Sequence, residues 1–340
     1  MTPMPRRLRL LTCLTIVLLT SGLTAYSSAR GGSDDGGRPP KPPRLPMDEA
    51  SSPLRISFIS YANPQQVASD SATICRYLEP YLGIPVKGSV STDYGSSIEA
   101  MRYEQADLAF VDPLAFMMAH EQIGARPLLL EIYATGNPVY YSCIWVRRDS
   151  GIKTLEDLRG RTIAFADQVD MSGHLLPRDM FVQEGLLPQD QLEGDFFKQV
   201  YFAGGDEQAV RAVLNGFVDA AGVSQFSYLL LRPEERQHVT VIGRSIASPS
   251  HLVMARKDLA RHTIARFKQA LLALDPDRPS DKAVLDKLYG VEGYVEAELS
   301  DFTEVARIAA RYGLVKKPKL FEAAAPAPTE SPPSAKEDGG

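Results

Sequence analysis

The pattern that most constrains this chain is a repeated alternation of short apolar segments with longer amphipathic ones. In the first unit, LRISFIS at 54–60 predicts a buried strand, and Asn63 and Pro64 then supply a cap and a first-turn proline for a helix that runs to Gly83. The residues at helical spacing along this helix, which predict its buried face, are Val67, Ser71, Ile74, Leu78 and Tyr81. Similar units follow, with LAFV at 108–111 as a further strand. Because helices of this length can connect parallel strands, the alternation predicts an α/β protein with layered sheets and helices.

A second set of the same units begins after Ser150. Strands are predicted at 162–166, 199–203 and 219–223 with helices between them, and the strand HLVMAR at 251–256 then precedes further helices. No sequence repeat links the two sets, so we infer two lobes and not a repeat array. Two such lobes usually clasp a ligand in the cleft between them and close by a hinge.

The N-terminus has the pattern of an export signal. The basic stretch MTPMPRRLR precedes an uncharged, mostly apolar run from Leu10 to Ala29, and the small residues at its end favour cleavage there. We therefore predict a signal peptide at 1–29 and a periplasmic or otherwise extracytoplasmic protein; the alternative is an uncleaved membrane anchor. The Gly-, Pro- and Ser-rich linker 30–53 and the tail 322–340 are predicted to be disordered.

The exported part of the chain is acidic. Removal of residues 1–29 takes away three arginines and no acidic residue, which lowers the formal net charge from −5 to −8. An acidic exported protein without basic clusters is a poor partner for nucleic acid or anionic membranes, so we expect neither.

Two of the three cysteines, Cys75 and Cys143, would remain after processing. An oxidising compartment would allow them to pair, and the sequence leaves this open. Two separately buried thiols are the favoured interpretation, because a chain of this length can fold without a covalent link.

The signatures of common enzymes are missing from this sequence. It contains no P-loop, no GxGxxG after a strand, no GxSxG elbow and no HExxH, and its five histidines show no metal-ligand spacing. We therefore predict no catalytic residue, no metal site and no cofactor. An enzyme is the least favoured alternative, because the sequence shows no nucleophile with a positioned base.

Polar and aromatic groups cluster instead at predicted strand ends and helix starts, where open α/β sheets bind ligands. Each cluster is also consistent with a simple helix cap or turn. Ser172 can serve both purposes, because a capping hydroxyl and the free amides of a first turn can also hold an anion. The clusters are Thr92-Asp93-Tyr94, Asp112-Pro113, Tyr140-Tyr141-Ser142, Asp170 to His174, and Gly205-Asp206-Glu207.

Taken in order, these features resemble the substrate-binding proteins of ABC transporters for phosphate, phosphite and phosphonate. The resemblance covers residues 54–314. It implies a type II periplasmic binding protein fold, with lobe 1 at 54–143 plus 248–314, lobe 2 at 144–247 and a ligand cleft between them. It also implies a small-molecule ligand and an inner-membrane ABC permease as partners, and we expect a monomer. The stretches that carry it are NPQQVASDSATICRYLEPYLGIPV, STDYGSSIEAMRYEQADLAFVDPLAF, GNPVYYSCIWVRRDSGIKTLEDLRGRTIAFAD, SGHLLPRDMF and FAGGDEQAVRAVLNGFVDAAGV.

The resemblance also implies which side chains face the ligand. Aromatic rings at Tyr94 and Tyr140 and the helix start that ends in Ser172, Gly173 and His174 would hold the phosphonate oxygens. Glu207 matches an acid that holds the amino group of aminophosphonates.

Three departures from the family pattern involve this same site. The usual Ser-Thr-Ser-Gly run reads DMSG here, so that Asp170 replaces a hydroxyl. Asp112 replaces a small residue before a proline, and His251 stands where an acid or similar polar group is common. Added carboxylates that faced a dianion at about 5 Å would oppose its binding by several kcal/mol at an effective dielectric of about 20.

The sequence therefore leaves two ligand classes open. The favoured hypothesis is a less anionic, zwitterionic or cationic solute, with Asp112, Asp170 and Glu207 as acceptors and the two tyrosines as walls, since aromatic faces also favour cations. The alternative is a phosphorus oxyanion held by Ser172 and nearby amides while Asp170 points to solvent. A divalent metal is a weaker alternative. A periplasmic sensor domain for a signalling partner is a second functional class on the same fold.

Overall fold

The computed structural model describes residues 38–59, 64–133, 136–191, 193–288 and 290–316. The predicted signal peptide at 1–29 and the predicted tail at 322–340 lie outside this part of the chain. Within the described part, no helix combines the length and apolar character that a membrane crossing requires.

Strands and helices alternate along the described chain, as the sequence pattern predicts. One turn of π-helix, Met171–Leu175, precedes the fourth α-helix. The strands are β1 (Leu54–Ile59), β2 (Val86–Ser91), β3 (Leu108–Val111), β4 (Arg126–Tyr133), β5 (Val139–Tyr140), β6 (Ser142–Arg147), β7 (Thr162–Phe165), β8 (Gln199–Phe202), β9 (Ala220–Ser224), β10 (Val239–Arg244), β11 (Ser248–Pro249), β12 (Leu252–Ala255) and β13 (Val291–Glu296). The helices are α1 (Pro64–Leu82), α2 (Tyr94–Arg102), α3 (Pro113–Ile123), α4 (Leu176–Gln183), α5 (Asp206–Leu214), α6 (Pro233–Arg236), α7 (Arg261–Leu272), α8 (Pro279–Leu285) and α9 (Thr303–Arg311).

The first lobe is built on a six-stranded sheet in the order β13-β4-β12-β3-β1-β2. Strands β2, β1 and β3 are parallel, because α1 and α2 return the chain to the same end of the sheet between them. Strand β12 is antiparallel to its neighbours β3 and β4, and β13 is antiparallel to β4. The carboxyl ends of the three parallel strands therefore meet at one edge of this lobe.

Helices cover both faces of this sheet. On one face, the predicted helical spacing holds, since Val67, Ile74 and Leu78 of α1 are all buried against the strands. On the other face, a separate core includes Phe116 of α3 and Phe302, whose rings lie 4.6 Å apart between centroids. The sheet is thus buried on both sides, which suits its continuous apolar strands.

The second lobe repeats this arrangement on a five-stranded sheet in the order β10-β6-β9-β7-β8. Strand β7 is parallel to β8 and β9, whereas β6 is antiparallel to β9 and β10 is antiparallel to β6. Each sheet therefore contains a parallel trio with one antiparallel strand beside it.

The chain passes between the two sheets twice. The short strands β5 and β11 pair antiparallel, with Tyr140 opposite Ser248. Strand β6 already begins at Ser142, so the lobe boundary predicted after Cys143 falls inside that strand. The fold is that of two α/β lobes joined by two crossing segments.

The linker predicted at 30–53 is not a free tether from Arg38 onward. Arg38 donates to the carbonyl of Leu274, and Lys41 pairs with the buried carboxylate of Asp281. These partners are 236 and 240 residues away along the chain, so composition alone could not indicate the contacts. A Gly- and Pro-rich segment can be ordered when charged side chains within it find buried partners.

The two cysteines belong to different lobes. Cys75 lies in α1 and Cys143 in β6, and both are buried and unbonded to each other. Burial raises the pKa of each thiol to about 11, so both stay protonated at neutral pH.

A glycine in the second sheet permits close packing next to the cleft. A Cβ atom on Gly222 of β9 would lie 2.6 Å from Cβ of Pro177 and 2.8 Å from the ring of Phe165. Helix α4 contains Pro177, and it therefore approaches the sheet more closely than a residue with a side chain at position 222 would allow.

We predict that Gly222→Ala lowers the free energy of unfolding by about 1–3 kcal/mol, because the added methyl group must displace Pro177 or Phe165. Denaturant unfolding of the purified domain measures this. Gly194→Ala is the matched control, since a Cβ atom there meets nothing within 4 Å. Equal stability of the two variants would contradict the packing described for β9.

Candidate functional site

A cavity of about 230 Å³ lies between the two lobes. Residues that directly follow β2, β7, β8 and β9 all reach it, because the carboxyl ends of the parallel strands in both sheets point toward the cleft. This is the position at which open α/β sheets bind ligands. The predicted site residues that line the cavity are Tyr94, Tyr140, Asp170, Ser172 and His251.

The Asp170 turn forms the wall of the second lobe. The carboxylate of Asp170 accepts hydrogen bonds from the backbone N–H of Gly173 at 2.7 Å and from the hydroxyl of Ser172 at 3.0 Å. It thereby caps the π-helical turn that begins at Met171. The donors that the sequence analysis offered to an anion are thus bound by a carboxylate of the chain itself.

Asp112 joins the two lobes at the same point. Its carboxylate caps α3 by accepting from the N–H of Ala115 at 2.6 Å, and it also accepts from the N–H of Met171 in the second lobe. Asp112 is fully buried and lies behind the cavity lining, not in it. Its position makes it a positioning residue for the Asp170 turn.

Gly173 has a steric role in this turn. Its carbonyl accepts from the N–H of Ala166 at 2.8 Å, and a Cβ atom on Gly173 would lie 2.4 Å from Cβ of Ala166. The turn can rest on the end of β7 only because residue 173 lacks a side chain.

Three buried carboxyl groups meet around this turn. Burial raises the pKa of Asp170, and burial together with the charge of Asp170 raises the pKa of Asp112 well above its usual range. Burial, with a smaller contribution from Asp170, raises the pKa of Asp206 to about 7. Burial therefore opposes the ionised form of all three groups, and a nearby positive charge would favour it.

Asp206 takes the place that the sequence analysis gave to Glu207. The carboxylate of Asp206 lines the cavity and accepts from the hydroxyl of Ser227 at 2.6 Å and the N–H of Ser224 at 3.2 Å. Glu207 instead forms an ion pair with Arg211 at 2.8 Å, outside the cavity. Both acids stand at the start of α5, so the sequence alone could not decide which one turns inward.

The two predicted tyrosines line the cavity as walls. Tyr94 and Tyr140 are 3% and 2% exposed, and the ring of Tyr140 stacks on His251 with centroids 5.7 Å apart. Ser172 and Ser248 lie near the hydroxyl of Tyr140, but neither meets it with hydrogen-bond geometry. Among the described residues, the Tyr140 hydroxyl is therefore a buried polar group without a hydrogen-bond partner.

His251 belongs to a chain of polar groups that the sequence did not reveal. The Tyr133 hydroxyl donates to Glu131 at 2.7 Å and lies 3.1 Å from Nδ1 of His251. Burial raises the pKa of Glu131 to about 7 and lowers the pKa of His251 to about 4, so the imidazole is neutral at physiological pH. Glu131 and Tyr133 both line the cavity. Glu131 lies within β4 and Tyr133 is its last residue, and the sequence analysis did not predict this strand.

His174 faces away from the cavity. Its Nε2 lies 3.2 Å from Glu193 and its Nδ1 lies 3.0 Å from the carbonyl of Gln168. The ring packs between Phe165 and Phe202, with centroids 5.0 Å from each. These contacts place His174 in the support of the Asp170 turn.

The lining of the cavity is strongly acidic. Among the described residues that line it, Lys287 is the one lysine or arginine, and it is paired with Asp70 at 3.1 Å. No group of three or more histidine, cysteine or acidic side chains in the described part is arranged to hold a metal ion. The lining carboxylates are Asp70, Asp93, Glu131, Asp167, Asp170 and Asp206.

We predict that the unliganded protein loses stability as pH rises, in part through Glu131. Its folded pKa of about 7 lies above the unfolded value of 4.5, so its stabilising contribution is complete below pH 4.5 and is lost as pH rises through 7. Relative to Glu131→Gln, the wild-type free energy of unfolding should fall by about 2–3 kcal/mol between pH 4 and pH 8. Denaturant unfolding across this range measures the difference.

Glu207→Gln is the control for that measurement, because the Glu207 carboxylate is partly exposed and paired with Arg211. This variant should retain the fall in the free energy of unfolding that Glu131 produces. Parallel profiles for wild type and Glu131→Gln would show that Glu131 is not buried in the way described.

Comparison with known proteins identifies the family of this chain. A family model described as "ABC transporter, phosphonate, periplasmic substrate-binding protein" matches residues 56–302. The phosphonates-binding periplasmic protein of Escherichia coli is 27% identical over 249 residues, which cover 71% of each chain. The phosphate-import protein PhnD of Mycolicibacterium smegmatis is 29% identical over 200 residues, 57% of this chain and 60% of the relative.

Solved structures share the fold. A binding-protein component of an ABC phosphonate transporter from Pseudomonas aeruginosa superimposes with a TM-score of 0.67 at 22% identity, over 76% of this chain and 86% of that chain. PhnD1 from Prochlorococcus marinus, in complex with methylphosphonate, gives 0.68 at 18% identity, over 77% and 98%. The family match, which covers most of the described chain, and the two-lobed fold agree. The chain belongs to the family of periplasmic substrate-binding proteins of phosphonate ABC transporters.

Proposed function

We propose that this substrate-binding protein captures a small, positively charged, amine-bearing solute between its lobes and presents it to an ABC permease. The observation that carries the proposal is the state of the Asp170 turn. Its amides and hydroxyl donate to Asp112 and Asp170, so the groups that would hold an oxyanion are already bound.

Electrostatics oppose an anionic ligand at this turn. An oxyanion would have to displace Asp170 from Ser172 and Gly173, and the displaced carboxylate would stay close to it. Two like unit charges about 5 Å apart repel by about 3 kcal/mol at an effective dielectric of 20, and a dianion doubles this. Any surrounding carboxyl group that is ionised would add to the cost.

The same groups favour a cation. The carboxylates of Asp170, Asp206 and Glu131 line one cavity, and each has a raised pKa that a nearby positive charge would lower again. Tyr94 and Tyr140 add aromatic walls, which attract ammonium groups. A hydrogen-bond donor on the solute would also satisfy the buried Tyr140 hydroxyl oxygen.

The ligand contacts we propose are therefore Tyr94, Tyr140, Asp170, Ser172, His251, Glu131 and Asp206, with Asp112, Gly173 and His174 positioning the turn. Glu207 is left out because its carboxylate pairs with Arg211. The signal peptide at 1–29 would direct the protein to the periplasm, where it would act as a monomer.

The charge of the ligand can be tested through proton release. We predict that primary amines bind more tightly at pH 8 than at pH 5, because Glu131 and Asp206, each with a pKa of about 7, must lose protons to pair with an ammonium group. Isothermal titration calorimetry in two buffers of different ionisation enthalpy counts the protons released. Tighter binding of methylphosphonate than of amines, with proton uptake, would contradict the proposal.

Neighbouring acids provide a matched pair for the same titration. Asp206→Asn should weaken amine binding by about ten- to a hundredfold, the range expected for a lost hydrogen bond to a charged group. Glu207→Gln should leave the affinity within about twofold, because its carboxylate lies outside the cavity. The reverse ranking would place the site at Glu207.

Restoring the family's hydroxyl run provides an independent test. The double variant Asp170→Ser with Met171→Thr removes the carboxylate and frees the N–H of Gly173 for a ligand. We predict that it gains binding of methylphosphonate, seen as a rise in melting temperature that increases with ligand concentration, and loses amine binding. A wild-type protein that already shows the same methylphosphonate shift would overturn the assignment of ligand class.

A further inference from the structure

The cavity does not end at the carboxylates. It continues from the cleft into the first lobe, between α1 and the sheet, where its walls are apolar side chains that each have no more than 7% of their surface exposed. Two of them, Phe58 of β1 and Phe110 of β3, stack with ring centroids 4.9 Å apart. The other walls of this apolar arm are Val67, Ile74 and Leu288.

The polar groups of α1 that line the cavity beside this arm have partners within the protein. Asp70 accepts from the side chain of Gln66 at 3.0 Å and pairs with Lys287 at 3.1 Å. The hydroxyl of Ser71 donates to the carbonyl of Ala68 within its own helix at 2.9 Å. The arm therefore offers no unpaired charge among the side chains just described that would attract a second charged group, and its walls are apolar side chains.

The size of the cavity also exceeds what a small polar solute needs. An engineered apolar cavity of about 150 Å³ accommodates benzene, and the present cavity has about 230 Å³. An ammonium group beside Asp170 and Asp206 would occupy only the acidic end. Ligand pockets commonly combine a few placed polar groups with a mainly apolar lining, and this cavity separates the two kinds of surface.

We propose that the solute is amphiphilic, with its charged amine at the acidic end and an apolar substituent of several carbon atoms in the arm between α1 and the sheet. This inference rests on the proposed function for the identity of the charged group. The arm itself is a separate specificity element, because its five apolar walls belong to the first lobe alone.

A homologous series of probes tests the arm. The affinities of n-alkylamines from methylamine to n-hexylamine should rise by about fourfold per methylene until the arm is filled, the increment expected for burial of one methylene group. A parallel series of n-alkylphosphonates separates the two proposals. Amine affinities that do not change with chain length would overturn the arm but keep the charge assignment.

The comparison of the two series also tests the proposed cationic head group. If the phosphonates gain affinity with chain length and no amine binds, the arm stands and the assignment of a cationic head group fails. If neither series binds more tightly as the chain lengthens, the arm is overturned.

A pair of variants locates the effect. Ile74→Phe places a ring in the arm and should abolish the gain with chain length. Leu78→Phe is the control, since Leu78 lies one turn further along the same buried face of α1 but does not line the cavity, and it should keep the gain. Loss of the gain in both variants, with both folded by thermal unfolding, would contradict the location.

Xenon provides a measurement that depends neither on these variants folding nor on the head group. A crystal of the wild-type protein under xenon pressure should show xenon between Ile74 and Phe110, because dry apolar cavities take up this gas. Absence of xenon there would overturn the description of the arm as an apolar subsite.

Discussion

The hydrogen bond from the Met171 amide to the Asp112 carboxylate links the two halves of the binding site. Asp112 follows strand β3 of the first sheet and caps α3, and through this bond it also holds the first residue of the turn on the second lobe. A carboxylate that bonds to amides on both lobes replaces part of what a ligand oxyanion could do in such a cleft. This link fixes the start of the turn that places Asp170 in the cavity wall.

Because Asp112, Asp170 and Asp206 are buried around one turn, ionising them together would create negative charge that the protein itself does not balance. The pKa values of Asp112, Asp170 and Asp206 are all raised by burial, and Lys287 is engaged by Asp70 at the far end of the cavity. The proposed function follows from this, since a cation that displaces protons would stabilise such a site. The family scaffold is retained, and we propose that its usual electrostatic preference is reversed.

Much of the fold could be predicted from the sequence, because helices between parallel strands impose a regular alternation of apolar segments. The strands β3 and β7 begin where they were predicted, and the buried face of α1 is the predicted one. Strands β4, β6, β10 and β13 were missed, since an antiparallel strand need not alternate with helices along the chain. Glu131 and Tyr133 were missed with β4.

The site residues divide in a similar way. Tyr94, Tyr140, Asp170, Ser172 and His251 follow or precede recognisable elements, and they do line one cavity. The choice between Asp206 and Glu207 required the structure. Adjacent residues of α5 point in different directions, and the orientation of the helix decides which carboxylate faces the cavity. The contacts of Arg38 and Lys41 were equally hidden, since their partners are more than two hundred residues away.

The sequence by itself determined the two α/β lobes and the unusual carboxylate at residue 170, because hydrophobic periodicity and residue identity are local properties. Only the tertiary structure decided that Asp170 bonds to its own turn, that Asp112 reaches across to it, and that the cavity extends between α1 and the first sheet. These features depend on distances between segments that are far apart in the chain, and packing alone sets those distances.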